Sequence, residues 1–397
     1  MEVILPKRKT ADKEYRDLTQ DIDIKNLQDN VKKVFLNFDD PRRSPIYPTW
    51  YLILVLLCGY LSGCNTVADI AHYAELRGQW LNSLLGLQFN SPSYDTIWWF
   101  LVRVKPSAFQ VLMSQWLSAL PINLKDQVLA VDGKRLRGVS DNEHITHLVN
   151  LFAVDSRIIV AQERVPDKGC ERKALPQLLE SVDVTGAIIT MDAHYTYKPD
   201  LQIIVEKGAD FIVGIKGNQG NLEAEVSNYF NQAYAINFDS EEFKCNTTLE
   251  KDHGRIETRH VCLSNDLDWL PQKDDWNLKT LIEIRSERVI GDQIENGIRY
   301  YGSSRTGTPE QFGKWIRSHW VIENGLNYVM DVVFEEDKAV ANTGNAAENI
   351  SLLRRLAMNV IKTFDPNRGI TDARRNATYE PSYLVGLLSR LFAEKCQ

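Results

Sequence analysis

"DQVLAVDGKRLRGV", residues 126–139, decides how the chain is read. An apolar run from Val128 to Val131 leads into an acid, Asp132, then Gly133, then the cations Lys134, Arg135 and Arg137. A carboxylate flanked by strand hydrophobics is costly to bury unless it is paired, hydrogen-bonded or bound to a metal. The plainer reading is a turn, because Asp-Gly suits one. The next residues decide which context the acid sits in. "HITHLVNLFAVDSRIIVAQERVPD" reads as two strands turning at Asp155-Ser156. "ERKALPQLLESV" is a helix and "GAIITMDAHYTY" a strand ending at Asp192. "PDLQIIVEKG" is again a helix and "ADFIVGIKGN" a buried strand. The order β-β-β-α-β-α-β implies an α/β fold with a mixed sheet and helices on its faces.

Beyond this core, "LEAEVSNYFNQAYA" is helical and residues 237–306 read as a β-rich insertion. "TPEQFGKWIRSHWVIENGLNYVMDVVF" then predicts one long helix, with Thr308 as N-cap and Pro309 at its first position. Its expected buried stripe is Trp320, Leu326, Val329 and Val333, with Glu323 close beside it. Glu335 and Glu336 read as solvated charge. Another helix follows in "GNAAENISLLRRLAMNVIKTF". The divisions are an extension at 1–30, a helical domain at 31–122 and the first part of the α/β domain at 123–236. The insertion at 237–306, the completing helices at 307–364 and a tail at 365–397 follow.

The 31–122 segment reads either as a helix-turn-helix DNA-binding unit or as a helical scaffold, with Trp98 and Trp99 as packing residues. "WYLILVLLCGYLSGC", residues 50–64, is nearly all apolar but short of the roughly 20 residues of a membrane span. It is expected to be a buried helix, and no membrane partner is expected. The N-terminus "MEVILPKRKTADKEYRD" has no apolar secretion core. Six cysteines (58, 64, 170, 245, 262 and 396) form no CxxC pair and have no His tract, which argues against structural zinc and fits a reducing cytoplasm. The net charge of −7 argues against a surface basic all over, but not against a basic groove.

Two strand carboxylates and a helical Glu could hold divalent cations, since Mg²⁺ takes oxygen ligands and few carboxylates. Two such ions suit phosphodiester chemistry.

The chain resembles the DDE transposases of bacterial insertion sequences, in particular the H-repeat-associated group. "AVDGKRLRG", "ITMDAHYTYK", "DFIVGIKGNQ", "HGRIETR", "IRSHWVIENGLNYVMDVVFEED" and "NAAENISLLRRLAMN" carry the resemblance, in order, from about Val31 to Phe364. It implies a ribonuclease-H-like catalytic domain, with Asp132, Asp192 and Glu323 as both catalytic and metal-binding residues. Mg²⁺, with Mn²⁺ as substitute, is the implied cofactor. Double-stranded DNA is the implied partner and a homodimer on DNA the implied assembly, in a bacterial cytoplasm and at the nucleoid when bound. It gives Asp331 and Asp337 a supporting role. Related cut-and-paste enzymes place Tyr, Arg and Lys where this chain has Ile316, His319 and Met330. Gly169 and Cys170 replace a Ser and an Asn, and Tyr197 replaces a Gln.

The expected DNA contacts are Lys134, Arg135, Arg137, Lys216, Asn218, His253, Arg255, Arg259, Arg317 and His319. An excess of Lys/Arg from Arg354 to Gln397, eight against four acids, adds to them. Trp269 and Trp276 read as core residues, with base stacking as the alternative. The function expected is DNA cleavage at element ends with strand transfer. The alternatives are a metal-dependent nuclease that does not join, or an inactive DNA-binding relic.

Overall fold

The computed structural model describes residues 29–31, 38–120, 122–136, 147–166, 168–235, 242–252, 255–341 and 343–392. Arg137, His253, Cys396 and nearly all of the 1–30 extension lie outside the described residues.

The expected strand and helix order is present. Strands β1 (Val128–Arg135), β2 (His147–Ala153) and β3 (Ile158–Val165) are followed by helix α5 (Ala174–Glu180), β4 (Ile188–Met191), α6 (Lys198–Glu206) and β5 (Asp210–Ile215). Four helices precede them: α1 (Thr49–Leu61), α2 (Val67–Leu85), α3 (Tyr94–Arg103) and α4 (Pro106–Ala119). β1 is antiparallel to β2 and parallel to β4, which is parallel to β5. The order β3-β2-β1-β4-β5 is the ribonuclease-H-like sheet.

Helix α7 (Leu222–Ala235) leads to β6 (Phe243–Asp252), β7 (Arg255–Ser264), β8 (Thr280–Ile290) and β9 (Gln293–Ser303). This β-rich segment continues the main sheet: β9 pairs with β5, with Ile212 opposite Ser303. The edge that β5 would otherwise present is thereby covered. Trp269 stacks on Tyr229, with ring centroids 4.4 Å apart, and Trp276 is buried, so both are packing residues.

Period-two alternation sorts the strands onto two cores. Leu129, Val131, Ile189 and Met191 face α5, α6 and α7. Ala130 and Ile188 face the other side, where α1–α4 share one core with helices α9 (Ala346–Phe364), α10 (Ile370–Tyr379) and α11 (Pro381–Leu391). The same alternation puts Asp132 and Asp192 on this second face. α1 has eleven of its thirteen residues buried, which explains its uniform hydrophobicity. No described helix is long and apolar enough to cross a membrane. Thr66 caps α2 reciprocally with Asp69, and Ser93 caps α3. Trp98 is partly buried, whereas Trp99 is half exposed beneath Arg103.

Three expectations need correction here. The 365–397 segment is no tail, since α10 and α11 pack on the bundle. The basic surplus from Arg354 onward is half internal: Arg354, Arg355, Lys362 and Arg374 are buried. Arg374 donates to the carbonyls of Tyr60, Cys64 and Val333, holding turns whose own carbonyls lack helical partners. Finally, Cys245 and Cys262, directly opposite on β6 and β7, form a disulfide. A 17-residue separation across paired strands matches no local cysteine motif.

Candidate active site

The long helix predicted after Thr308 is present but not uniform. Helix α8 (Pro309–His319) starts at a capping box between Thr308 and Gln311. After a turn at Trp320 the chain continues in π-helical geometry over Glu323–Asn327 and Val329–Val333. The buried residues are Ile322, Leu326, Met330 and Phe334, each four apart. In a straight α-helix each four-residue step drifts by about 40°, so three steps would carry Phe334 off the face. The π stretches, with i→i+5 hydrogen bonds and more residues per turn, turn the opposite way over four residues and so offset that drift. This explains why the α-helical stripe was misassigned: Trp320 is 54% exposed, Leu326 is buried, and Val329 and Val333 are only partly so.

The π segment faces the second side of the sheet, and Asp132, Asp192 and Glu323 line one cleft of about 530 Å³ with His319 and Lys216. β1 runs on to Arg135 through Asp132 and Gly133, so the Asp-Gly pair is not a turn. Gly133 has another reason: a Cβ there would lie 2.4 Å from Glu171 Oε1 and 2.8 Å from the Tyr195 hydroxyl. Glu171 is buried, accepts from Tyr195 at 3.0 Å and lies 3.4 Å from His147.

Asn327 donates its amide to Asp132 Oδ2 at 2.8 Å and to Glu323 Oε2 at 3.3 Å, tying strand to helix. Burial raises the Asp132 carboxyl to about 6, and the Glu323 charge adds to the rise against the Asn327 hydrogen bond. Asp192 is set differently. It accepts from the Ala193 backbone N–H at 2.7 Å and lies 3.1 Å from the Lys216 ammonium. Burial pushes its pKa up, but these partners outweigh that and hold it below the usual carboxylate range. Asn218 and Gln219 donate to the Ala193 carbonyl at 2.8 and 3.2 Å, fixing the loop that carries Asp192. His319 Nδ1 is 3.0 Å from the Thr190 hydroxyl. Burial lowers its pKa despite the nearby acids.

The donor set suits a hard divalent cation, because all three side chains offer oxygen. A half-buried carboxylate crowded by a second one is also an electrostatic demand for positive charge. The oxygens are not all within 4.8 Å of one another, unlike the donor atoms of Cys245, His260 and Cys262.

Lys134, expected on DNA, points inward instead. It is buried against Asp331 and lies 3.7 Å from Glu336. Glu336 is not solvated charge either: it is buried, 2.7 Å from Arg355, and accepts from Ser351. Burial would raise its pKa, but Arg355 and Lys134 bring it down to about 2. Asp331 accepts from the Lys134 ammonium. The positions where related enzymes carry Tyr and Lys are core here, since Ile316 and Met330 are buried.

Of the other expected cations, Arg135 is exposed on β1. Arg255, Arg259 and Arg317 line a second cleft of about 920 Å³ that shares Arg299, Tyr301, Ile316 and Trp320 with the first. This cleft also holds Arg157, Arg288 and Lys314, which no sequence motif had marked. Arg299 lies over the exposed Trp320 ring, 5.8 Å from its centroid. Asn218 serves the Asp192 loop, as described.

The sheet order, the acidic cleft and the basic cleft beside it define a polynucleotidyl-transferase type of protein. Residues 123–360 match the family described as "Transposase DDE domain" and residues 32–117 match "DDE_Tnp_1-associated". The chain belongs to the DDE transposase family. It is 29% identical over 359 residues to "H repeat-associated putative transposase YhhI" of Escherichia coli strain K12, covering 85% of this chain and 91% of that one. It is 28% identical over 347 residues to "Putative transposase YncI" of E. coli O157:H7, covering 85% and 88%. It is 32% identical over 288 residues to an uncharacterized protein in the dhlA 3′ region of Xanthobacter autotrophicus, covering 70% and 96%. Among solved structures, a piggyBac transposase synaptic complex with hairpin DNA aligns at a TM-score of 0.44 and 10% identity, over 95% of this chain and 80% of that one.

Proposed function

We propose that this transposase cleaves phosphodiester bonds at the ends of a DNA element and joins the freed 3′-hydroxyl to target DNA. Asp132, Asp192 and Glu323 are the residues that would hold divalent cations, Mg²⁺ with Mn²⁺ as substitute. Such ions supply a polarised phosphoryl oxygen and an activated nucleophile. The observation that carries the reading is that β1, β4 and the π segment turn these three acids into one cleft, with Asn327 bonded to two of them. Asn327 orients the Asp132 and Glu323 oxygens. The Lys216 ammonium holds Asp192 until a cation competes for it. The arginine-lined cleft alongside gives the DNA backbone a path leading to the acids. A homodimer on DNA would bring two ends together.

The test uses a pre-cut DNA end and a supercoiled target with Mg²⁺. Joined products are expected from the wild type, and none from Asp132→Ala or Glu323→Ala. Cleaved but unjoined DNA from the wild type would indicate a nuclease. Unchanged DNA activity in both variants would indicate a protein that binds DNA without this chemistry.

A further inference from the structure

The β6–β7 hairpin carries a cluster that the acidic cleft does not use. Cys245 stands directly opposite Cys262, and Thr247 directly opposite His260, so the four residues form two adjacent cross-strand pairs. The ligand atoms of Cys245, His260 and Cys262 all lie within 4.8 Å of one another. His260 Nε2 is 3.1 Å from Cys262 Sγ. His260 Nδ1 is 2.8 Å from the Thr247 hydroxyl. In the tautomer that donates Nδ1–H to the Thr247 hydroxyl, Nε2 carries the lone pair that faces Cys262 Sγ, and an oxygen partner on the far ring nitrogen is the arrangement found around metal-bound histidines. Cys262 is buried, whereas Cys245 and His260 border an open pocket of about 710 Å³. That side leaves room for a fourth ligand.

We propose that, once the Cys245–Cys262 disulfide is reduced, Cys245, His260 and Cys262 bind one borderline-soft divalent cation of the zinc type. The disulfide is the oxidised state of the same site and excludes the ion, because both sulfurs are then bonded to each other. The balance is simple. A dithiol reductant gives two electrons and two protons to the disulfide, yielding two thiols and its own disulfide. The cation then displaces one proton from each thiol, and His260 binds as neutral imidazole. Two thiolates and an imidazole favour zinc or cobalt over the hard ions suited to the carboxylate cleft. The site therefore couples the redox state of the hairpin to metal content, on strands that also carry Arg255 and Arg259 of the basic cleft.

The experiment is a Co²⁺ titration of the full chain, reduced with a dithiol, stripped of metal and kept anaerobic. One equivalent of Co²⁺ per chain is expected to give thiolate-to-cobalt absorption, and Zn²⁺ is expected to abolish it. The oxygen donors of Asp132, Asp192 and Glu323 cannot produce that band, so its loss and the failure of strand transfer are separate results. Thr247→Val should weaken binding about 10-fold or more. Cys245→Ser, at an exposed position, should remove the band with the fold intact by circular dichroism. The proposal is overturned if the reduced wild type shows no band, if Cys245→Ser keeps it at equal affinity, or if diamide-oxidised protein binds equally well. In each of those cases the pair is a structural cross-link only.

Discussion

Asn327 and Asp132, 195 residues apart in the chain, are joined by a 2.8 Å hydrogen bond that fixes the helix to the central strand. The same amide reaches Glu323. Asn327→Ala should therefore leave the fold unchanged and lower DNA cleavage about 10- to 100-fold, as loss of a ligand-orienting partner does. Single-turnover cleavage beside a thermal melt checks this. An unchanged cleavage rate would remove Asn327 from the site.

The Lys134–Glu336–Arg355 group predicts a large stability effect away from the chemistry. Removing one partner leaves a buried charge uncompensated, which costs about 3–5 kcal/mol. Glu336→Ala should lower the urea midpoint accordingly. Replacing Lys134 should also destabilise the fold without changing the salt dependence of DNA binding, because its ammonium is turned inward.

The low pKa of Glu336 gives a pH signature. Its folded value of about 2 lies below its ordinary 4.5, so its contribution is present above pH 4.5. That contribution is lost as pH falls from 4.5 towards 2. The stability gap between wild type and Glu336→Gln should be wide at pH 6 and narrow at pH 3, read by denaturant unfolding. A gap that widens on acidification would contradict the assignment.

Gly133 has no room for a side chain. A methyl group there meets the Glu171 carboxylate at 2.4 Å, held in place by Tyr195. Gly133→Ala should destabilise by about 1–3 kcal/mol, the usual cost of overpacking. Gly133→Ala combined with Glu171→Ala should recover part of that loss.

The basic cleft predicts a uniform effect on DNA. Arg299→Ala or Arg317→Ala should weaken binding to all sequences alike and reduce the slope of log affinity against log salt by about one each. Fluorescence anisotropy over a salt series tests it. A change in sequence preference with the slope unaltered would place these residues elsewhere.

Much of this was legible in the chain because it rests on local periodicity. Asp132 stands out as an acid inside an apolar strand and Asp192 as one at the end of another, whereas their shared face depends on the parallel register of β1 against β4. Thr308 and Pro309 announced their helix through capping chemistry alone. Glu323 was legible by resemblance, while its helix was misread by period. Nothing in "GLNYVMDVVF" signals a π turn, because sheet packing selects which residues are buried.

What the sequence determined by itself was the order of strands and helices and the identity of the acids, since these depend on neighbours a few residues apart. Only the tertiary structure decided that Lys134 and Glu336 face inward, that Arg354 and Arg374 donate to backbone carbonyls of distant turns, and that Asn327 spans two carboxylates. A charged side chain is solvated or buried according to whether a distant partner compensates its lost hydration. No local pattern reports such a partner when it lies 19 residues away, as Arg355 does from Glu336, or 195, as Asn327 does from Asp132.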